Sequence, residues 1–141
     1  MGRINRAART TAWGVTLIEL VIVVAVMGIL LAVAVPSYRA YLVRVHRTEA
    51  VRMLLQASMC QERIHATHGS YDTSQCHFSS EQQRYRFSYD PVNKQGQTYL
   101  AIATPSGAQM ADACGNLSLD QNGNRTADDS TMGSLKCWNG R

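Results

Sequence analysis

The chain has 141 residues, which is room for one small domain, with 14 Lys and Arg against 10 Asp and Glu and four cysteines. The positive balance is concentrated at one end: Arg3, Arg6 and Arg9 lie in residues 1–14, which hold no acid, and without that segment 11 basic side chains face 10 acidic ones. A general polyanion-binding surface is therefore not supported by net charge. No paired acids in an identifiable site, nucleophile elbow or phosphate loop is present, so we expect no enzyme and no cofactor.

Residues 1–14 lack an apolar run of the length a secretory signal core requires; the apolar run starts after Gly14 and is longer than such a core. From Val15 to Val35 the only charged residue is Glu19. At about 1.5 Å per residue this segment makes a helix about 31 Å long, enough to cross a bilayer core. Processing is thus expected to leave the hydrophobic stretch in the product. Glu19 is costly at membrane depth and requires a partner.

Pro36 ends the run, and a kink or local melting of the helix is expected there. Helical pattern resumes to His68, with Ala50, Met53, Leu54, Ala57, Cys60 and Ile64 forming one apolar stripe. Before Ala50 the stripe is out of register: Tyr38, Tyr41, Leu42 and Val45 make another face, interrupted by Arg44, His46 and Arg47. Only the later half is expected to pack on its own head, leaving the earlier half for neighbouring subunits. Gly69 is the expected stop.

Residues 69–83 read as a polar loop. Arg84 to Asp90 alternates, with Tyr85, Phe87 and Tyr89 on one face and Arg84, Arg86 and Ser88 on the other, a half-buried strand. A turn over Asn93–Gln97 and a second strand over Gln97–Pro105 suggest a hairpin. Gly115 to Asp120 is a third strand, ended by Asn122-Gly123, and the remainder to Trp138 reads as irregular. A long helix followed by a small antiparallel sheet predicts an α+β head with the helix laid across the sheet.

Cys60, Cys76, Cys114 and Cys137 are spaced too widely for a CxxC redox or zinc-ribbon motif. An even count after an export-type N-terminus reads as two disulfides. Four cysteines allow three connectivities, and local closure favours Cys60 with Cys76 and Cys114 with Cys137, each worth roughly 3 kcal/mol of unfolded-state entropy.

The set Cys60, His65, His68 and Cys76 matches no standard zinc module, so the histidines read as surface residues and no metal is expected. Asp120, Asn122, Asn124 and Asp128 have part of a calcium-loop spacing, but Arg125 stands where the glycine belongs and Thr131 replaces the bidentate acid; a polar hairpin turn is the simpler reading. For nucleic acid, Arg84, Arg86 and Lys94 alternate with Tyr85, Phe87 and Tyr89, which places the aromatics in the core rather than among the basic groups. Between Cys114 and Cys137 only Arg125 and Lys136 are basic, offset by Asp120, Asp128 and Asp129.

The segment Gly14-Val15-Thr16-Leu17-Ile18-Glu19 resembles the type IV prepilin processing site, with valine where phenylalanine is usual. Gly28, Pro36, Tyr38 and Tyr41 fall at spacings similar to those of pilin helices. In the second half, Ala103-Thr104-Pro105 with Gly107 and Gln109, then Ala113 to Gly123 with its CGNLSLDQNG run, then Cys137-Trp138, resemble PilE-type minor pilins, a group that includes ComP-like competence pilins. The resemblance implies a type IV pilin fold, cleavage between Gly14 and Val15 by a prepilin peptidase, and N-methylation of Val15. It also implies that Glu19 pairs with the N-terminal amine of an adjacent subunit.

The organisation that follows is a leader over 1–14, a transmembrane and filament-core helix over 15–35, and a periplasmic head over 36–141 with a disulfide loop at 114–137. The implied partners are other pilin subunits, the peptidase and the inner-membrane assembly machinery. The expected location is a single-pass bacterial inner-membrane protein before assembly and an extracellular pilus afterwards. The leading expectation is a minor subunit serving twitching motility, adhesion or DNA uptake; the alternatives are a DNA-receptor pilin and a type II secretion pseudopilin, which the paired cysteines and C-terminal run disfavour.

Overall fold

A computed structural model of the chain describes residues 14–78, 84–90, 96–128 and 134–139. The leader up to residue 13, the end of the polar loop at 79–83, most of the hairpin turn at 91–95, and Asp129 and Thr131 lie outside the described residues. Chain contacts divide the protein into two compact units, residues 1–38 and 39–141. One helix, α1 (Leu17–His68), runs from the first unit into the second.

In the first unit the Thr16 hydroxyl accepts the Glu19 amide at 3.3 Å, which caps one of the free N–H groups at the start of α1. Every residue from 14 to 38 is exposed, and the apolar side chains along it are long enough in sequence to cross a membrane. Pro36 lies inside α1, which is helical on both sides of it, so of the kink or local melting expected there the helix does not melt. The missing N–H removes a single rung of the ladder.

In the second unit α1 carries a buried stripe of Arg47, Ala50, Met53, Leu54, Ala57, Gln61 and Ile64. The stripe begins one turn earlier than the apolar pattern suggests: Arg47 is buried and belongs to it, rather than interrupting it. The helix stops where Gly69 takes φ 73° and donates its N–H to the His65 carbonyl at 2.8 Å.

Four antiparallel strands follow, β1 (Tyr85–Asp90), β2 (Leu100–Pro105), β3 (Leu117–Asp120) and β4 (Arg125–Ala127), in spatial order 1-2-3-4. A 3-10 segment (Gly107–Ala111) joins β2 to β3, and a short helix α2 (Ser134–Trp138) follows β4. The region after Gly123 is therefore not irregular; β4 and α2 occupy it. Register places Phe87 opposite Ala103, Ala101 opposite Leu119, and Ala103 opposite Leu117. On this face Tyr85, Ala101, Ala103, Leu117 and Leu119 are buried in one cluster with Ala50 and Leu54 of α1. Alanines on both helix and central strand shorten the distance at which the two can pack. Phe87 and Tyr89 join an aromatic group at the edge, where Phe78 stacks on Phe87 at 5.2 Å and lies 4.7 Å from Tyr89. Arg84, Arg86 and Ser88 are exposed, as the alternation predicts.

Candidate functional site: an exposed apolar helix and a pinned C-terminal loop

Gly14 and Val15 lie outside any regular element and are exposed, Val15 at 71%, ahead of the first helical turn. A scissile bond needs such an open segment, since a helical or buried one would have to unfold first. Glu19 is also exposed, in the first turn of α1. Its backbone N–H is held by the Thr16 hydroxyl. The exposed apolar surface from Val15 to Val35 is long enough, by length and composition, to cross a membrane.

The head is pinned to α1 by a buried polar cluster. Asp112, just beyond the 3-10 segment, accepts from Arg47 Nε at 2.9 Å on one oxygen, while the terminal Arg47 nitrogen reaches the other. Tyr85 of β1 donates its hydroxyl to Asp112 at 2.9 Å, and the Cys114 amide donates to the same carboxylate at 3.0 Å. The Gln109 amide nitrogen lies 2.9 Å from Asp112, 3.1 Å from the Tyr85 hydroxyl and 3.0 Å from the Val43 carbonyl. Arg47 and Asp112 are each only 5% exposed. Both charges are thus removed from water but fully surrounded by partners, the one circumstance in which a buried ion pair is stable.

Burial by itself would raise the Asp112 carboxyl, but the Arg47 hydrogen bond, the Cys114 amide and the Tyr85 hydroxyl outweigh it and hold the group below the usual carboxylate range. The Tyr85 hydroxyl moves the other way, pushed up first by burial and then by the Asp112 charge. Of these residues only Gln109 and Cys114 stood out in the sequence, both in the C-terminal motif and Cys114 also as a disulfide cysteine; Arg47, Tyr85 and Asp112 were not read as a cluster. The available signal was the spacing of Arg47 three residues before Ala50, in register with the stripe.

Cys60 is bonded to Cys76 and Cys114 to Cys137, with Cα separations of 6.0 and 5.7 Å. The first bond ties the end of α1 to the loop after it. The second closes a loop containing β3, β4 and α2. At that end Trp138 is buried and donates its indole N–H to the Thr126 carbonyl at 2.9 Å. Arg125 lies with its guanidinium 5.5 Å from the Trp138 ring centroid, a cation–π contact, and both Arg125 and Lys136 are exposed.

The calcium-like residues are used by the hairpin instead. Asp120 accepts the Asn122 and Asn124 amides at 2.9 and 2.8 Å, and Asp128 accepts the Asn116 amide at 3.2 Å. Hydrogen bonding of Asp120 to Asn124 and Asn122, set against a burial that acts in the opposite direction, leaves its carboxyl below the ordinary value. Among the described residues no group of His, Cys, Asp and Glu forms a metal site. His65 stacks on Tyr71 at 4.4 Å.

The architecture is that of a type IV pilin. A type IV pilin of Shewanella oneidensis superimposes with a TM-score of 0.53 at 29% identity, over 63% of this chain and 93% of that one. The non-core minor pilin PilV of Neisseria meningitidis shares the fold, with a TM-score of 0.53 at 17% identity over 67% and 95% of the two chains. Residues 36–118 match the family described as "Type IV minor pilin ComP, DNA uptake sequence receptor", and the chain belongs to that family. The match includes the Arg47–Asp112 cluster and ends at Ser118, ahead of Arg125, Lys136 and Trp138.

Among curated proteins, the type IV major pilin PilE1 of Neisseria gonorrhoeae is 40% identical over 58 residues, 41% of this chain and 35% of that protein. The chain thus spans about a third of the length of the curated relatives it matches. Pilins of this family associate with other pilin subunits in pili, and their fold is that of structural proteins.

Asp112→Asn should cost about 3–5 kcal/mol in denaturant unfolding with disulfides intact, because it leaves Arg47 buried without its counter-charge. In the wild type, the depressed Asp112 carboxyl contributes stability that is fully present above the ordinary aspartate range and is lost as pH falls through its lower folded value. The acid-side decline measured by unfolding midpoint should accordingly be shallower in Asp112→Asn.

Proposed function

We propose that the protein is a non-catalytic minor subunit of a type IV pilus, anchored by residues 15–35 in the bacterial inner membrane until it is built into the filament. Residues 1–14 act as a leader that a prepilin peptidase removes, and Val15 becomes the methylated N-terminus. The observation that carries this reading is the helix start: an exposed Gly14-Val15 segment, then an exposed apolar surface interrupted only by Glu19. A carboxylate alone in lipid is expensive, so pairing with the amine of Val15 on an adjacent subunit lowers its energy and draws the incoming chain into register. The membrane assembly machinery would act on that docked state.

The experiment compares wild type with Glu19→Ala in cells making pili. Wild-type protein recovered from sheared filaments should have the intact mass of a chain starting at N-methylated Val15. Glu19→Ala should be processed and membrane-bound yet at least tenfold depleted from filaments. Normal incorporation of the variant would contradict the docking role, and a retained leader would contradict the processing.

A second reading, a DNA receptor that acts in uptake, is favoured by the family's description. The groups available for it at the C-terminal end are Arg125, held over Trp138, and Lys136 on α2. Two cations suffice for local phosphate contacts but not for a general polyanion surface. If they contact phosphate, the detergent-solubilised chain should bind duplex DNA with a log–log salt dependence that falls by about 1 for each of Arg125→Gln and Lys136→Gln. Equal salt slopes in all three proteins would remove these residues from the interface.

A further inference from the structure

Beneath the start of the head lies a groove that the assembly reading does not use. It has a volume of about 470 Å³ and is walled by α1, the 3-10 segment and the residue before β1. Small apolar side chains line it, among them Ala40, Val43 and Ala111, together with the basic Arg39, His46 and Arg84. A shallower lobe of about 280 Å³ shares Ala40, Val43 and Ala111 and adds Arg44. Among the described residues, no carboxylate lies within ion-pair distance of Arg39, Arg44 or Arg84. Asp112, which also borders the shallower lobe, is already neutralised by Arg47.

The sequence around the groove is equally one-sided. From Leu20 to Thr48 there is no acid, while Arg39, Arg44, His46 and Arg47 fall in the last ten of those residues. Arg39 is four residues beyond Val35, so its Cα lies within about 14 Å of the end of the apolar span whatever the path between them. With residues 15–35 in a bilayer, Arg39 is within reach of the lipid headgroups, a layer several ångströms thick on each face. A cavity lined by both apolar side chains and arginines within reach of that layer complements an amphiphile bearing a negative head.

We propose that this groove seats the phosphate headgroup of an anionic phospholipid while the subunit waits in the membrane, with Arg39 and Arg84 contacting the phosphate and the apolar lining of Ala40, Val43 and Ala111 receiving the adjoining glycerol and acyl carbons. The site rests on the membrane-anchored reading but is separate from the docking role of Glu19. It holds the head against the bilayer by its own charge and is vacated when the subunit leaves lipid.

The test uses the full chain in detergent micelles, with lipid retention read by native mass spectrometry after addition of phosphatidylglycerol, phosphatidylcholine or inorganic phosphate. One phosphatidylglycerol should be retained at least fivefold more often than phosphatidylcholine. The double variant Arg39→Gln/Arg84→Gln should lose at least fivefold of that retention, and Arg63→Gln, exposed near the far end of α1, should not. Ala40→Leu, which enlarges a lining side chain without changing charge, should also lower it, and equal thermal midpoints would exclude misfolding as the cause. Equal retention of both lipids, or undiminished retention in the double variant, would overturn the site. Displacement of the lipid by millimolar inorganic phosphate would assign the groove to free phosphate instead, and dimers that form without lipid and exclude it would assign it to a second copy. Carbonate extraction of membranes reads the anchor independently, so loss of the lipid site and loss of the membrane span give different results.

Discussion

The head of this protein depends on one buried ion pair. Arg47 on α1 and Asp112 beyond the 3-10 segment are separated by 65 residues of chain and joined by two charge-assisted contacts in a place with almost no water. Around them Tyr85, Gln109 and the Cys114 amide complete the hydrogen-bonding capacity of the carboxylate. An apolar contact at this position would hold the loop to the helix with little directional preference. The bidentate geometry fixes rotation and register as well. Because Asp112 binds the amide of Cys114, the same pair also sets where the second disulfide begins, and through it the placement of β3, β4 and α2.

The two units face opposite physical problems. The first has apolar surface and nothing of its own to bury it against, so its stability as a helix in water is irrelevant and its environment must supply the contacts. The second has a small core, in which Ala50, Leu54, Ala101, Ala103, Leu117 and Leu119 do the apolar packing while two disulfides limit the unfolded chain. A filament subunit needs both properties: an N-terminal surface that exchanges lipid for neighbouring helices, and a head that does not change as it leaves the membrane. Charge follows the same division, with Glu19 the one charge in the apolar segment and Arg39, Arg44 and Arg47 close together at the beginning of the head.

Much of this was readable from residue order. Apolar spacing located α1 and its stop at Gly69, alternation located β1 and the buried face of Tyr85, Phe87 and Tyr89, and short apolar pairs located the cores of β2 and β3. Strand ends moved inward by one to three residues, because polar Gln97 and Thr98 continue an alternation that the ladder does not use. β4 and α2 were not legible: three and five residues are too few to show a period, and both exist because Trp138, Thr126 and the Cys114–Cys137 bond hold them. Arg47 was misread for a related reason. A charge within a stripe marks a boundary unless its partner is known, and that partner lies far away in sequence. The groove walled in part by α1 is likewise a product of tertiary placement, since Arg84 joins Arg39 only through the fold.

The most direct test of this account is a double-mutant cycle on Arg47→Met and Asp112→Leu, read by denaturant unfolding with both disulfides formed. If the pair pins the head, each single change should be strongly destabilising and the double change should recover much of the loss, giving a coupling energy of about 2–3 kcal/mol. Additive losses in the double variant would show that the two side chains act independently and that the head is held by its core and disulfides alone.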